Sequence, residues 1–229
     1  MTELPDHPRN VLEFAGVCRK NGLTLDEPGL AKLERYADLL REWNARVNLV
    51  SRRDTENLWS AHLLHSVSML FVTDLPAAAN VMDLGSGGGL PGIPLAIVRP
   101  DLRVVLVDSI AKKSAALSAM VSELGLPNVE VVCGRAEQLG PGHERRYSVV
   151  IARAVAPLED LLKWSAKLYD RGVPGGPMLV AFKGGDLEEE LGRVKMRLKG
   201  VEVRVVPLVF PGSAEAGLEG KKIVVVRIH

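Results

Sequence analysis

The chain has 229 residues, 47% of them hydrophobic and 25% charged. These proportions exclude disordered, collagen-like and disulfide-scaffold proteins and suit one domain with a small appendage. Twenty-nine basic and twenty-eight acidic side chains leave a net charge of +1, so a nucleic-acid partner would have to be met by local clusters rather than by global basicity.

Residues 1–75 read as helices. Val11, Leu12, Ala15 and Cys18 recur at helical spacing before an Asn21-Gly22 stop. Asp26 caps a second helix, with Pro28 in its first turn and Leu30, Leu33, Ala37 and Leu40 along one stripe. A third helix is expected after Asp54, with Leu58, Ala61, His62, His65 and Met69 on one side. From Asn80 short β-branched runs alternate with helical stretches. The pattern predicts strands at 81–84, 103–107, 129–133, 148–152 and 178–182, and helices at 91–98, 112–124, 158–169 and 187–198. Two final strands, 201–210 and 222–228, have no helix between them. The alternation predicts an α/β fold with a parallel sheet covered on both faces, its last strand antiparallel at or near an edge. The expected division is a helical cap, 1–75, and a Rossmann-like domain, 76–229. Cys18 and Cys133 form no CxxC pair and are expected to be reduced core thiols. No apolar run approaches a membrane span, and the start lacks a secretory pattern, so a cytoplasmic protein is expected.

The most specific string is Asp83-Leu-Gly85-Ser-Gly87-Gly-Gly89-Leu90-Pro91-Gly92. A strand stops, four glycines in five positions let the backbone approach a ligand, and a helix begins. In an open α/β sheet such a turn faces the crevice where cofactors bind. A dinucleotide GxGxxG counted from Gly85 fails at Leu90; counted from Gly87 it passes but lies late after the strand. No Tyr-xxx-Lys pair and no GxxxxGK[ST] loop is present. The acidic-x-Gly-x-Gly-x-Gly form resembles motif I of doubly wound S-adenosylmethionine-dependent methyltransferases. Asp108 ends the second strand, where a carboxylate takes ribose hydroxyls or caps the following helix.

Five strings together resemble a narrower family. They are Asp83 to Ile97 with its Gly-Leu-Pro-Gly-Ile-Pro, Val107-Asp108-Ser109 with Lys112-Lys113, Ile151-Ala-Arg153-Ala154, Ala181-Phe-Lys183-Gly184 and Trp43-Asn44-x-x-Val47-Asn48-Leu49. The match, from about Leu39 to the C-terminus, is to the bacterial 16S ribosomal RNA guanine-N7 methyltransferase G family, formerly glucose-inhibited division protein B. The resemblance implies a class I methyltransferase fold of seven strands with a helical extension, S-adenosylmethionine as cofactor, and 16S rRNA of the small subunit as partner, acted on by a monomer. It implies Asp83, Gly85, Gly87, Gly89 and Leu90 as cofactor contacts, Gly85 and Leu90 at the methionine end, with Asp108 at the ribose and Ala136-Glu137 beside the adenine. Arg153 would border both cofactor and substrate. Asn48, His62 and Lys183 would join Arg153 on the catalytic side. Two positions depart from the family: His65 stands where an Asp is usual, and Lys221 where an Arg is usual.

The chemistry is compatible with these residues. Guanine N7 has a lone pair and no proton to lose, so no general base is needed. The chain has no Asp/Asn-Pro-Pro-aromatic clamp for an exocyclic amine and no well-placed cysteine for pyrimidine C5. N7 and O6 form an acceptor pair that Arg153 or Lys183 could meet. His62 and His65 lack further ligands at metal spacing, so no metal is expected. Expected RNA contacts are Arg52, Arg53, Lys112, Lys113, Arg135, Lys221 and Lys222, with Arg145-Arg146 as a further basic pair. A nicotinamide oxidoreductase and a non-enzymatic ribosome-assembly protein are the alternatives left open by the residues alone.

Overall fold

Among the described residues the chain builds its sheet from seven strands: β1 (Asn80–Leu84), β2 (Arg103–Asp108), β3 (Val129–Cys133), β4 (Val149–Arg153), β5 (Met178–Gly184), β6 (Val201–Pro207) and β7 (Lys221–Ile228). The structure, a computed structural model, describes residues 8–51, 57–197 and 200–229. The strand order is β3-β2-β1-β4-β5-β7-β6. The first five strands are parallel, and β7 runs antiparallel to both β5 and β6. The order reverses between β1 and β4, which opens a crevice at the carboxyl ends of these strands. Two-residue alternation sorts strand side chains into two cores. Val81, Val104, Leu106, Val149 and Ile151 join one, and Met82, Leu84, Val105, Val107 and Val150 join the other.

The first core is shared with the N-terminal helices. Helix α1 (Val11–Lys20) is capped by Asn10, whose side chain accepts from Leu12 and Glu13 N–H. Helix α2 (Glu27–Asn44) is capped by Asp26 through Gly29 N–H at 2.9 Å and buries Leu33, Tyr36, Ala37 and Leu40. It lies against α5 (Gly92–Val98) and α6 (Ala111–Glu123). The second core is covered by α7 (Leu158–Ser165) and α8 (Glu188–Arg197).

Several expectations need correction. On α1 Cys18 is buried and Val11 packs against the same core, but Phe14 is buried where Leu12 was expected, and Leu12 is exposed. The third helical stretch is a π-helical turn, Leu58–Leu64, continued by α3 (His65–Val67) and α4 (Met69–Val72). Apolar spacing alone does not announce the wider turn. The helix at 158–169 ends at Ser165, whose hydroxyl bonds back to Leu161 O, and Tyr169 leaves it to bridge with Tyr147. Strand β6 stops at Pro207, short of the expected Phe210. Cys133 is exposed at the end of β3, so only Cys18 is a core thiol. Among the described residues no helix is long and apolar enough to cross a membrane.

Candidate active site

The glycine loop folds as its sequence demands. Gly85, Gly87 and Gly89 have φ of +73°, +56° and +92°, a region L side chains rarely adopt. A Cβ on Gly85 would lie 2.7 Å from Val155 Cγ2, so the loop and the segment after β4 touch closely there. A Cβ on Gly92 would lie 2.3 Å from Leu106 and 2.7 Å from Asp83 Oδ2. The loop is tied to β2 because Gly85 and Ser86 N–H both donate to Val107 O, at 2.8 and 3.0 Å. From the other side, the buried Tyr36 hydroxyl donates to Gly88 O at 2.8 Å.

Two carboxylates flank this loop and differ in surroundings. Asp83 is 1% exposed and accepts Gly92 N–H at 2.9 Å through Oδ2. Its Oδ1 has no partner among the described residues. Burial pushes its pKa up to about 7, against opposing hydrogen bonds from Gly92 and Ser86 and the nearby Arg153 charge. Asp108 faces a cavity of about 320 Å³ instead. Its oxygens accept Gly87 N–H at 3.0 Å and Ile110 N–H at 2.9 Å, so it steadies the glycine loop and the entry to α6 together. A carboxylate offers about four acceptor sites, which leaves two for the hydroxyls of a ribose. Gly85, Asp108, Ala136 and Glu137 all line this cavity, with Ile110 and Trp164 as apolar walls. The donor and acceptor set therefore fits an adenosyl ligand. Leu90 is 5% exposed and packs into the first core; its side chain is not in the cavity wall.

A second cavity, of about 410 Å³, opens over the ends of β4, β5 and β7 and shares Ala154 and Val155 with the first. Ala154 is held at φ +56° although it is not glycine, a strain that proteins keep where surrounding structure over-determines it. Among the described residues three cations line this second cavity: Arg153, Lys183 and Lys221. Arg153 Nη2 donates to His62 Nδ1 at 2.6 Å, so His62 fixes the guanidinium from behind. Lys183 lies 2.7 Å from Glu190 Oε1 and donates to Ala156 O at 2.8 Å. Glu190 in turn accepts from Leu158 N–H, and this knot pins the 154–158 segment. The sequence placed His62 on the catalytic side and marked His65 as a departure from the family without a role. In the structure it is His65 that lines the cavity, packed edge-on against Phe182 at 5.1 Å.

The remaining expected contacts divide. Lys113 and Arg135 line the first cavity and Lys112 is exposed beside it. Lys221 lines the second, whereas Lys222, its neighbour on the alternating strand, donates to Gly185 O at 2.6 Å. Asn48 is exposed after α2 and lines neither cavity. Arg52 and Arg53 lie outside the described residues. Arg145 and Arg146 precede β4 and so sit at the opposite end of the sheet, where Arg146 lies 3.5 Å from Glu130; they do not join the rim.

Comparison with known proteins agrees with this geometry. The family described as rRNA small subunit methyltransferase G matches residues 29–213. A ribosomal RNA small subunit methyltransferase G of Chlorobaculum tepidum is 41% identical over 200 residues, covering 87% of this chain and 86% of that protein. The protein of the same name from a Roseiflexus species is 41% identical over 201 residues, covering 85% and 83%. Among solved structures, an S-adenosylmethionine-dependent methyltransferase from Aquifex aeolicus aligns with a TM-score of 0.51 at 19% identity, covering 71% of this chain and 89% of that one. That likeness is one of fold.

Proposed function

Since the chain belongs to the small-subunit ribosomal RNA methyltransferase G family, we propose that it carries a methyl group to N7 of a guanine in 16S ribosomal RNA. The enzyme is an S-adenosylmethionine-dependent ribosomal RNA methyltransferase. The observation that carries the reading is the pair of cavities meeting at Ala154 and Val155, one built for an adenosyl ligand and one lined by cations. In this reading residues 76–229 form the catalytic unit and 1–75 a helical cap.

When bound, S-adenosylmethionine supplies an electrophilic methyl on a sulfonium. What the chain adds is alignment, because an in-line displacement depends on holding nucleophile, carbon and leaving group in one line. Asp108 would take the ribose hydroxyls, and Gly85, where positive φ and Val155 leave no room for a side chain, would admit the ligand close to the backbone. Arg153, steadied by His62, meets the target base. Lys183 holds the dividing segment in place through Glu190 and Ala156. Lys113, Arg135 and Lys221 meet phosphates along the rim. N7 has no proton, so no residue needs to serve as a base.

Mapping the small-subunit RNA after incubation with enzyme and labelled cofactor tests the reading; the label is expected at N7 of one guanine. Arg153→Ala is expected to cut single-turnover methylation about a hundredfold with S-adenosylhomocysteine affinity unchanged. A rate near that of the wild type would remove Arg153 from the site.

A further inference from the structure

The second cavity has three cationic donors and, among its described lining residues, one side chain able to accept a hydrogen bond: His65. This imidazole is nine-tenths buried. Its ring donates to the Ala61 carbonyl one helical turn back, while Nε2 has no partner among the described residues. The hydrogen-bond pattern therefore puts the proton on Nδ1 and leaves a lone pair on Nε2. Burial, with Arg153, Lys221 and His62 nearby, pushes its pKa down to about 3, so the ring is neutral at physiological pH. The edge-on contact with Phe182 fixes the ring plane. A neutral, oriented acceptor among donors is a recognition element waiting for an N–H.

We propose that His65 Nε2 reads the donor edge of the target guanine, its N1–H and 2-amino group, and so selects guanine over adenine. The inference rests on the functional reading above and deepens it. N7 and the N1/N2 edge lie on opposite sides of a purine. The first cavity opens toward β1 and β2, and His65 stands against Phe182 of β5, at the other side of the dividing Ala154 and Val155. A guanine that turns N7 toward the first cavity therefore turns its donors toward His65. Adenine would present the N1 lone pair there, acceptor against acceptor. The arrangement also favours the transition state. As the N7–C bond forms and the S–C bond breaks, the electron pair of that bond stays on sulfur and the positive charge passes to the purine. N1–H and the amino group become stronger donors, and both keep their protons, so a bond to Nε2 tightens as the methyl arrives.

The test is a coupling experiment on small-subunit particles reconstituted with guanine, inosine or 2-aminopurine at the target position. His65→Phe keeps the aromatic contact with Phe182 and deletes the acceptor; His65→Gln restores an oxygen near the place of Nε2. Expected are a ten- to hundredfold loss of kcat/KM in His65→Phe, substantial recovery in His65→Gln, and unchanged S-adenosylhomocysteine affinity. Removing the 2-amino group with inosine should slow the wild type and have much less further effect on His65→Phe; 2-aminopurine, which loses O6 together with N1–H, should keep in His65→Phe only the part of its penalty that belongs to O6. Full activity of His65→Phe, or equal penalties for both analogues in wild type and variant, would overturn the proposal. Should His65→Phe fail to fold, a wild type indifferent to both analogues would overturn it equally. Labelling of an atom other than guanine N7 by the wild type would instead overturn the functional reading on which the proposal stands, a result visible before any variant is made.

Discussion

Asp83 is a carboxylate in a place that disfavours its charge, and that has a consequence for stability. In the unfolded chain it titrates near pH 4, and in the folded protein near about 7. The native state thus holds a proton that the unfolded chain releases between these values. Its contribution is fully present below about pH 4 and is lost as pH rises through about 7. Urea unfolding of wild type and Asp83→Asn at pH 4.5 and 7.5 should show the wild type losing on the order of 2–4 kcal/mol relative to the variant. Parallel curves would exclude Asp83 as the group. Gly92 makes a second prediction at this scale. Gly92→Ala would force a methyl against Leu106 and Asp83 and is expected to cost about 1–3 kcal/mol, read as a shift in urea midpoint with the slope retained. The glycines were legible in the sequence because positive φ at a strand end leaves few residue choices. His65 was not, because its role rests on a tautomer and a ring orientation that no spacing encodes.

Helix α2 acts on the site through one atom. The Tyr36 hydroxyl crosses from the helix to the carbonyl of Gly88, and the side chain is fully buried. Tyr36→Phe should destabilise the protein by about 1–2 kcal/mol, since a buried acceptor loses its donor, and should weaken cofactor affinity because the loop loses an anchor. Thermal melts with and without S-adenosylhomocysteine would separate the two effects; a variant indistinguishable from wild type in both would show the bond to be idle. Helix α8 acts through Glu190, which joins Lys183 to the start of α7. Glu190→Gln is expected to lower kcat about tenfold with little change in cofactor affinity, because it loosens the segment that separates the cavities. Strand–helix alternation exposed nearly every element from β1 to β7, most plainly β1, β2, β4 and β5, whose residues are buried on both faces and read as short apolar runs. The π turn at Leu58–Leu64 stayed hidden because it differs from an α-helix in hydrogen-bond pattern, whereas its apolar content is the same.

Across the whole molecule, near-neutral charge coexists with a cationic rim at the carboxyl ends of the strands. Affinity for the RNA should therefore fall steeply with salt, with a slope of about −0.7 in logarithmic units for each phosphate met in single-stranded regions. Substituting Lys221 or Lys113 by Ala should each reduce that slope by about one phosphate's worth, measured by filter binding from low to high salt; an unchanged slope would place these lysines off the RNA path. The partition between the two cavities sets a different kind of limit. Ala154 and Val155 face both chambers, and Val155 already presses on the backbone of Gly85. Any larger residue there would take room from donor and acceptor at once, so neither specificity could be retuned alone from this position. Divergence toward a new base or a bulkier alkyl donor would have to begin at the outer walls, where a change is felt on one side only.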